Sequence, residues 1–413
     1  MSAELPATDR PWRPSVGLIV TCGCLIALLS FGVRSAMGLY QIPMLNTTGW
    51  SFTTFGLAMA LQNLAWGIGQ PIFGAIADRY GAWKTLAAGG ISYALGLYVM
   101  ATATAPIWLH IGGGILVGLG VAAGSFGIIM SVFARNVVPE KRSLVFGIGT
   151  AAGSGGMFLF APISTAMIDN FGWSHSLIIL SGIMLIVPVL AAPLYGNAKS
   201  SLQSAQEIDQ TLGEAFREAM GHRSYILLVA GFFVCGFHVA FINAHFPAYV
   251  DDIGVSAIYA SYALALIGFF NIIGSLGAGY IGQKYSKPKF LTLIYIARGI
   301  AILAFIVLPQ NPASIIVFSI VMGLLWLSTV PPTNALVAVM FGTRHLGFLG
   351  GLVFFSHQIG SFIGVYMGGF LRDTYGSFDP IWWLGIALSL FAAAMHWPIS
   401  EVPVDRSARA AAA

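Results

Sequence analysis

The sequence predicts an all-α membrane protein of twelve transmembrane helices in two six-helix halves. Three observations predict it. Hydrophobic residues make up 57% of the 413 and charged residues only 8%, whereas a soluble domain carries about 25% charged residues. That leaves too little charge to cover a water-facing surface. The chain also divides into apolar runs of about 20 to 28 residues, the length a helix needs to cross a bilayer. Finally, Lys and Arg fall at alternate connections, which selects one orientation.

The elements follow in order. Helix 1 is expected over 15–44, ending before Asn46-Thr-Thr-Gly49, and helix 2 over 51–75, closed by Asp78 to Gly81. Helices 3 and 4 occupy 84–105 and 107–133. Pro139-Glu-Lys-Arg142 separates them from helices 5 and 6, at 143–168 and 173–195. The longest polar stretch, Gly196 to Arg223, holds Glu207, Asp209, Glu214, Arg217, Glu218 and Arg223. It reads as a linker, dividing the chain into an N-terminal half (1–195), the linker (196–223) and a C-terminal half (224–413). Helices 7 to 12 are expected at 224–250, 257–283, 288–308, 312–340, 347–371 and 380–399, with breaks at Lys284 to Lys289 and Thr343-Arg344-His345.

With an even helix count both termini share a side, and sixteen of the nineteen basic residues fall on it. Arg372 alone falls in an opposite-side loop, while Arg34 and Arg298 lie within spans. The positive-inside rule then makes the termini and linker cytoplasmic, as expected of a multi-pass protein of a bacterial inner membrane. The first apolar run, Val16 to Met44, is too long for the core of a cleavable signal peptide. The net charge of +4 is small and gives no reason to expect a nucleic-acid partner. Cys22 and Cys24 point to different helix faces and Cys235 is remote, so packing is expected rather than a disulfide or metal site.

A repeat relates the halves. Residues 74–84 contain Gly74, Asp78, Arg79, Tyr80, Gly81 and Lys84; residues 279–289, offset by 205, contain Gly279, Gln283, Lys284, Tyr285, Ser286 and Lys289. The first copy resembles the helix 2–3 loop signature of the major facilitator superfamily, and the second resembles its degenerate counterpart. The resemblance implies rocker-like alternating access around a site between the halves near mid-membrane. It also gives Gly74, Asp78, Arg79, Gly81 and Lys84 a gating role: Gly74 permits close helix approach, and Asp78 can meet a helix N-terminus or basic partner across the cytoplasmic rim. The latch is expected to favour the outward-open state.

Charges inside a span are rare and functional by default. No Asp or Glu lies within a predicted span, away from its ends; the embedded cations are Arg34, Arg298 and the histidines. A cavity with positive and neutral polar groups suits an anion. Around Arg34, Ala27, Ser30, Phe31, Gly38 and Gln41 form a small or polar stripe at helical spacing. An Arg at the bilayer centre costs about 2.5–3.5 kcal/mol, which a substrate carboxylate bound through two hydrogen bonds would offset. His357 in helix 11, followed by Gln358 and Ser361, can bind substrate or carry a proton. Gln62, Asn63 and Trp66 of helix 2, His238 and His245 of helix 7, Asn271 of helix 8, and Trp326 with Pro331-Pro332 and Asn334 of helix 10 outline the expected cavity. Arg298 is expected to be structural or to face the cytoplasm, because helix 9 is peripheral in this architecture.

Two transporter groups carry the closer resemblances. Phe31-Gly-Val-Arg34-Ser35 resembles helix 1 of monocarboxylate transporters, Arg34 matching their substrate-binding lysine. Their helix 8 Asp/Arg pair is replaced by Asn271 and Ser275. Gln70-Pro71 and the segment around His357 resemble the oxalate–formate exchangers, His357 matching an essential lysine, while their helix 8 arginine is replaced by Ser275. Together these imply a secondary active transporter of a small mono- or dicarboxylate, with Arg34 as anchor. Its partners would be the lipid bilayer and either a proton, carried by His357 or His238, or a counter-anion. Proton symport is the leading reading; anion exchange, and export of neutral or cationic compounds, are the alternatives. No cofactor, no metal and no enzymatic activity are expected, and the protein is expected to be a monomer.

Overall fold

In the computed structural model, residues 14–195, 210–342 and 344–404 are described. Glu207 and Asp209 of the expected linker and five of the expected cytoplasmic cations (Arg10, Arg13, Lys199, Arg406, Arg409) lie outside these residues. The fold is helical throughout the described residues. Its spans are α1 (Val16–Thr48), α2 (Phe52–Tyr80), α3 (Ala82–Ala101), α4 (Pro106–Asn136), α5 and α6 (139–171 and 173–194), α7 (Arg223–Asp252), α8 (Ala257–Lys284), α9 (Lys287–Val307), α10 (Pro312–Phe341), α11 (Leu346–Tyr375) and α12 (Asp379–His396). A short linker helix, Leu212–Met220, precedes α7 and opens with a capping box of Thr211 and Glu214. α5 and α6 form one continuous run bent at Gly172, where φ is 75°.

Three spans depart from a plain helix, each for a local reason. α1 tightens to a 3-10 turn over Met37–Tyr40 and extends to Thr48, beyond the expected end. Pro43 has no N–H to donate to the carbonyl of Leu39, so the regular ladder fails there. α4 widens to a π turn over His110–Leu116. α10 is interrupted between its two helical pieces, Pro312–Leu325 and Val330–Phe341. Pro331 and Pro332 remove the donors that Leu327 and Ser328 would need. Arg298 of α9, 0% exposed, serves two carbonyls at the end of the first piece: it donates to that of Leu325 at 2.6 Å and to that of Trp326. Asn271 Oδ1 of α8 accepts from Leu327 N at 3.0 Å. Arg298 is therefore structural, and a cation at the C-terminal end of the first α10 piece also opposes that helix's dipole.

Two apolar cores form. One gathers α1–α6 and takes in Ala240, Ala244 and Val365 from the second half; the other gathers α7–α12 and takes in Met157 and Ala161 from α5. These borrowed residues mark the seam where α1 meets α7, α2 meets α11 and α5 meets α8. Glycines allow the close approach. A Cβ on Gly268 would lie 2.7 Å from Phe158 N, and one on Gly67 2.7 Å from Gln358 Cβ. Large apolar side chains on the outside, including Ile91 and Leu95 of α3 and Leu293, Ile300 and Val307 of α9, are exposed. In a chain with so little charge this surface faces hydrocarbon.

The two ends of the seam differ. One face carries the basic turns with Arg79, Lys84, Arg135, Lys141, Lys284 and Lys289; we call it the basic face. Towards the opposite face, α1 and α7 touch at Gly38 and Asn243, and α2 and α11 touch at Gly56, where a Cβ would lie 3.0 Å from the Val365 carbonyl. Towards the basic face, the seam-helix glycines Gly74, Gly147, Gly347 and Gly351 stand in open space. The halves are closed on the opposite face and splayed on the basic face.

This packing makes two glycines of α11 behave differently. A Cβ at Gly364 would lie 2.6 Å from the Phe237 carbonyl of α7, whereas one at Gly351 meets nothing within 4 Å. Gly364→Leu is expected to lower the melting temperature in detergent, with overpacking costing about 1–3 kcal/mol. Gly351→Ala is expected to leave it unchanged or raise it, through a helix propensity gain of about 1 kcal/mol. Thermal unfolding of the two variants checks both.

Candidate functional site

Arg34 sits in the last turn of the straight part of α1, just before the 3-10 turn. Its guanidinium therefore lies where the helix stops being regular and α7 comes close. Nη2 donates to Asn63 Oδ1 of α2 at 2.6 Å. The guanidinium carbon lies 4.7 Å from the Trp66 ring centroid, one turn further along α2. Asn63 is fixed in turn by donating Nδ2 to the Met59 carbonyl at 2.8 Å. Nε of Arg34 is buried with no hydrogen-bond partner, and no carboxylate among the described residues pairs with the guanidinium. This half-buried cation is solvated by an amide and a ring face rather than neutralised.

The second half completes the arrangement. Gln358 of α11 donates Nε2 to the main-chain carbonyl of Asn63 at 3.1 Å, and its Oε1 lies 3.0 Å from His357 Nδ1. An amide acceptor there fixes the tautomer with the proton on Nδ1. His357 stacks on Phe354 at 5.6 Å and lies 5.2 Å from Phe232. Phe354 also meets Trp66 at 5.2 Å. Arg34 and His357 are thus joined across the seam by Asn63 and Gln358 on the polar side, and by Trp66 and Phe354 on the aromatic side.

A cavity of about 20 Å³ lies against Arg34, lined by Gln62 and Asn63 of α2, Asn243 of α7 and Val365 of α11 among others. That is about the room one water needs. Gln62 donates to the Gly113 carbonyl of α4 at 2.8 Å, which pins its amide at the wall. On the side towards the opposite face the space is roofed by buried Gln41 and His245, 3.1 Å apart, with His245 Nε2 2.8 Å from the Val365 carbonyl. A larger cavity of about 300 Å³ opens on the opposite face beside Asp252, Gln310, Arg372 and Asp379. Arg372 there is held by Asp252 through two hydrogen bonds of 2.7 and 2.9 Å, so its charge is already neutralised.

Of the residues the sequence singled out, Arg34, Gln62, Asn63, Trp66, His357 and Gln358 come together. Three do not. His238 is buried away from the cavity, its Nε2 2.8 Å from the Gly385 carbonyl of α12; it shares a helix face with His245, but different helices cover the two ends of that face. Asn271 has its amide engaged by Ser154 of α5 at 3.0 Å, by Leu327 N and by Ser275. Trp326 lies in the core of the second half, where its carbonyl accepts from Arg298. Sequence reasoning missed Asn243, Phe354 and Phe232; it named His245 and Gln41 separately but not their contact across the seam. The polar stripe through Arg34 and Gln41 was the signal for that contact. Among the gating residues, Asp78 lies 3.5 Å from Arg135 of its own half, Arg79 lies over Tyr80 and Lys84 beside Trp83. Gly74 meets nothing, and Gly81 turns the chain with φ 98°.

The two embedded arginines should respond oppositely to removal. Arg298→Met leaves the Leu325 and Trp326 carbonyls unmet, at about 1–3 kcal/mol each, and is expected to lower the melting temperature markedly. Arg34→Met removes a half-buried cation that has no counter-ion, so the melting temperature is expected not to fall. Thermal melts of the pair in one detergent decide it.

The sequence profile of the Major Facilitator Superfamily matches residues 22–365 and 242–412. The uncharacterized MFS-type transporter YcxA of Bacillus subtilis (strain 168) is 25% identical over 367 residues, covering 87% of this chain and 88% of its own. Monocarboxylate transporter 13 of Rattus norvegicus is 21% identical over 368 residues, covering 87% and 83%. Monocarboxylate transporter 11 of Mus musculus is 25% identical over 400 residues, covering 90% and 85%. Among solved structures, a D-xylose–proton symporter superposes with a TM-score of 0.72 at 14% identity, covering 94% of this chain and 98% of its own. A bacterial homologue of the human lysosomal transporter Spinster, inward-facing and occupied, gives 0.70 at 15%, covering 94% and 97%.

Proposed function

The chain belongs to the major facilitator superfamily, and on that premise we propose that it carries a small mono- or dicarboxylate across the membrane by alternating access, coupled to a proton. One observation carries the reading: the Arg34 guanidinium lies in the seam between the halves, solvated by Asn63 and Trp66, with Nε unpartnered and no carboxylate beside it. A bound carboxylate would supply the missing counter-charge and hydrogen bond. The likeness of the whole chain to monocarboxylate transporters supports the same substrate class.

In this reading 1–195 and 224–413 are the rocking units and 196–223 joins them. The basic face is cytoplasmic, both termini lie there, and the membrane is a bacterial inner membrane. The splayed basic face then makes the present arrangement inward-open. His357 packs between Phe232 and Phe354 of the second half and is linked to Arg34 through Gln358 and Asn63. It is the group that takes the proton, because His238 is turned away into the α12 contact. Protonated His357 and Arg34 would together draw the anion in, and loss of the proton would weaken its hold.

The test is counterflow of labelled carboxylates in proteoliposomes. Arg34→Gln is expected to weaken apparent affinity about 10- to 100-fold, the scale of a lost hydrogen bond to a charged group. Unchanged affinity in that variant overturns the anchor. His357→Gln is expected to abolish accumulation driven by a pH gradient while leaving counterflow running. Symport of a proton with a monoanion is electroneutral, so an imposed potential should leave its rate unchanged. Exchange of a dianion for a monoanion would respond by about 2.3 kcal/mol per 100 mV, and such a response would favour exchange.

A further inference from the structure

The ends of α2 and α11 carry one pattern. Residues 74–81 read Gly-Ala-Ile-Ala-Asp-Arg-Tyr-Gly and residues 369–376 read Gly-Phe-Leu-Arg-Asp-Thr-Tyr-Gly. Both helices end on the tyrosine, and both closing glycines turn the chain with positive φ, 98° at Gly81 and 71° at Gly376. This correspondence differs from the repeat of the halves, which pairs α2 with α8. α2 and α11 belong to opposite halves and run antiparallel along the seam, so each pattern lies at the same end of the seam as the start of the other helix.

The α11 copy is engaged. At the start of α2, Ser51 Oγ accepts from Thr54 N at 3.1 Å, which leaves the donors of the two preceding residues. Asp373 takes both: Oδ1 accepts from Phe52 N at 3.1 Å, and Oδ2 accepts from Thr53 N at 2.7 Å and from the Thr53 hydroxyl. A carboxylate here satisfies first-turn donors and meets the positive end of the helix dipole. Gly369 permits the approach, since a Cβ there would lie 3.0 Å from Thr53 Cα. The neighbouring Arg372 lies 5.0 Å from the Phe52 ring and is held by Asp252. The α2 copy is disengaged from the other half. A Cβ on Gly74 meets nothing within 4 Å, and the Asp78 side chain is 70% exposed, beside Arg135 of its own half. α11 begins at Leu346 on a His345 that makes no side-chain cap.

We propose that Asp373 is the opposite-face counterpart of the latch that the family resemblance assigns to Asp78: Asp373 caps the first turn of α2 in one access state and releases it in the other, where Asp78 engages. In the present state Asp373 holds the start of α2 and the opposite face is shut. When the basic face shuts, Gly74 packs on the first turn of α11, Asp78 caps that turn, and Asp373 releases α2. The two catches exclude one another because α2 and α11 pivot between them. Neither touches substrate, so they set the balance of states rather than specificity.

The proposal rests on the alternating-access reading, but its test needs no substrate. Spin labels are placed on a background lacking Cys22, Cys24 and Cys235, in nanodiscs. The pair at Asn170 and Ser256 reports the opposite face, and the pair at Lys141 and Gln283 reports the basic face. Asp373→Ala is expected to lengthen the first distance and shorten the second, shifting the ratio of states about tenfold. Asp373→Asn should shift it less, because an amide still caps. Asp78→Ala should shift the ratio the other way by a similar factor, and the double variant should return near the wild-type ratio. Unchanged distances in Asp373→Ala, or shifts of the same sign in both single variants, overturn the switch. If Asp373→Ala does not fold, Asp373→Asn is judged by the same sign criterion against Asp78→Asn. Loss of the carboxylate reading with these shifts intact leaves the switch standing; unchanged distances with carboxylate transport intact remove the switch alone.

Discussion

A guanidinium held in the seam between two halves without a counter-ion is the constraint around which the rest of this molecule is arranged. Arg34 cannot be left bare in a low-dielectric seam, and none of the described residues gives it an acid. The chain gives it the Asn63 carboxamide and the face of Trp66 instead. The amide dipole and the ring quadrupole both stabilise a cation without cancelling it. An acid at that position would have formed a closed ion pair and cancelled the charge. Because Asn63 is also the residue whose carbonyl receives Gln358 from the other half, the cradle of the cation and the contact between the halves are one structure. Movement of the halves must therefore alter the surroundings of the charge.

The same demand, that polar backbone in hydrocarbon find a partner, explains the second embedded cation. The tandem prolines Pro331 and Pro332 break α10, and the carbonyls of Leu325 and Trp326 are left for Arg298 to take up. Asn271 meets the Leu327 N–H on the other side and reaches Ser154 of α5 across the seam. The interruption is thus braced by one cation and one amide, and the amide ties it to the opposite half. Two arginines of one chain, both inside spans, differ in what they meet: Arg298 donates to two main-chain carbonyls within its own half, while Arg34 meets an amide side chain and a ring face, and each keeps one buried nitrogen unpartnered.

The asymmetry of the seam supplies the dynamics. Where glycines of α1, α2, α8 and α11 meet backbone, the halves are in contact; where Gly74, Gly147, Gly347 and Gly351 meet nothing, they are apart. Small residues stand at both ends of the seam, packed at one and open at the other. Helix caps are suited to choosing between the ends because a carboxylate on first-turn N–H groups is strong only at contact and is lost within a turn's displacement.

The sequence by itself determined the fold, the spans and the identity of the central cation. Hydrocarbon allows few solutions to the backbone's hydrogen bonds, and charge is so costly there that each embedded polar residue is conspicuous. Arg34, Gln62, Asn63, Trp66, His357 and Gln358 were legible for that reason, since helical spacing placed each on a polar face. Tertiary structure alone decided which polar faces share a space. His238 and His245 lie seven residues apart on one face of α7, yet the first meets Gly385 of α12 and the second meets Gln41 of α1. Periodicity fixes direction about a helix axis but not which neighbour lies in that direction. Asn271 and Trp326 belong to the support of the α10 break for the same reason, and the engagement of Asp373 rather than Asp78 depends on how two helices cross, which no local spacing encodes.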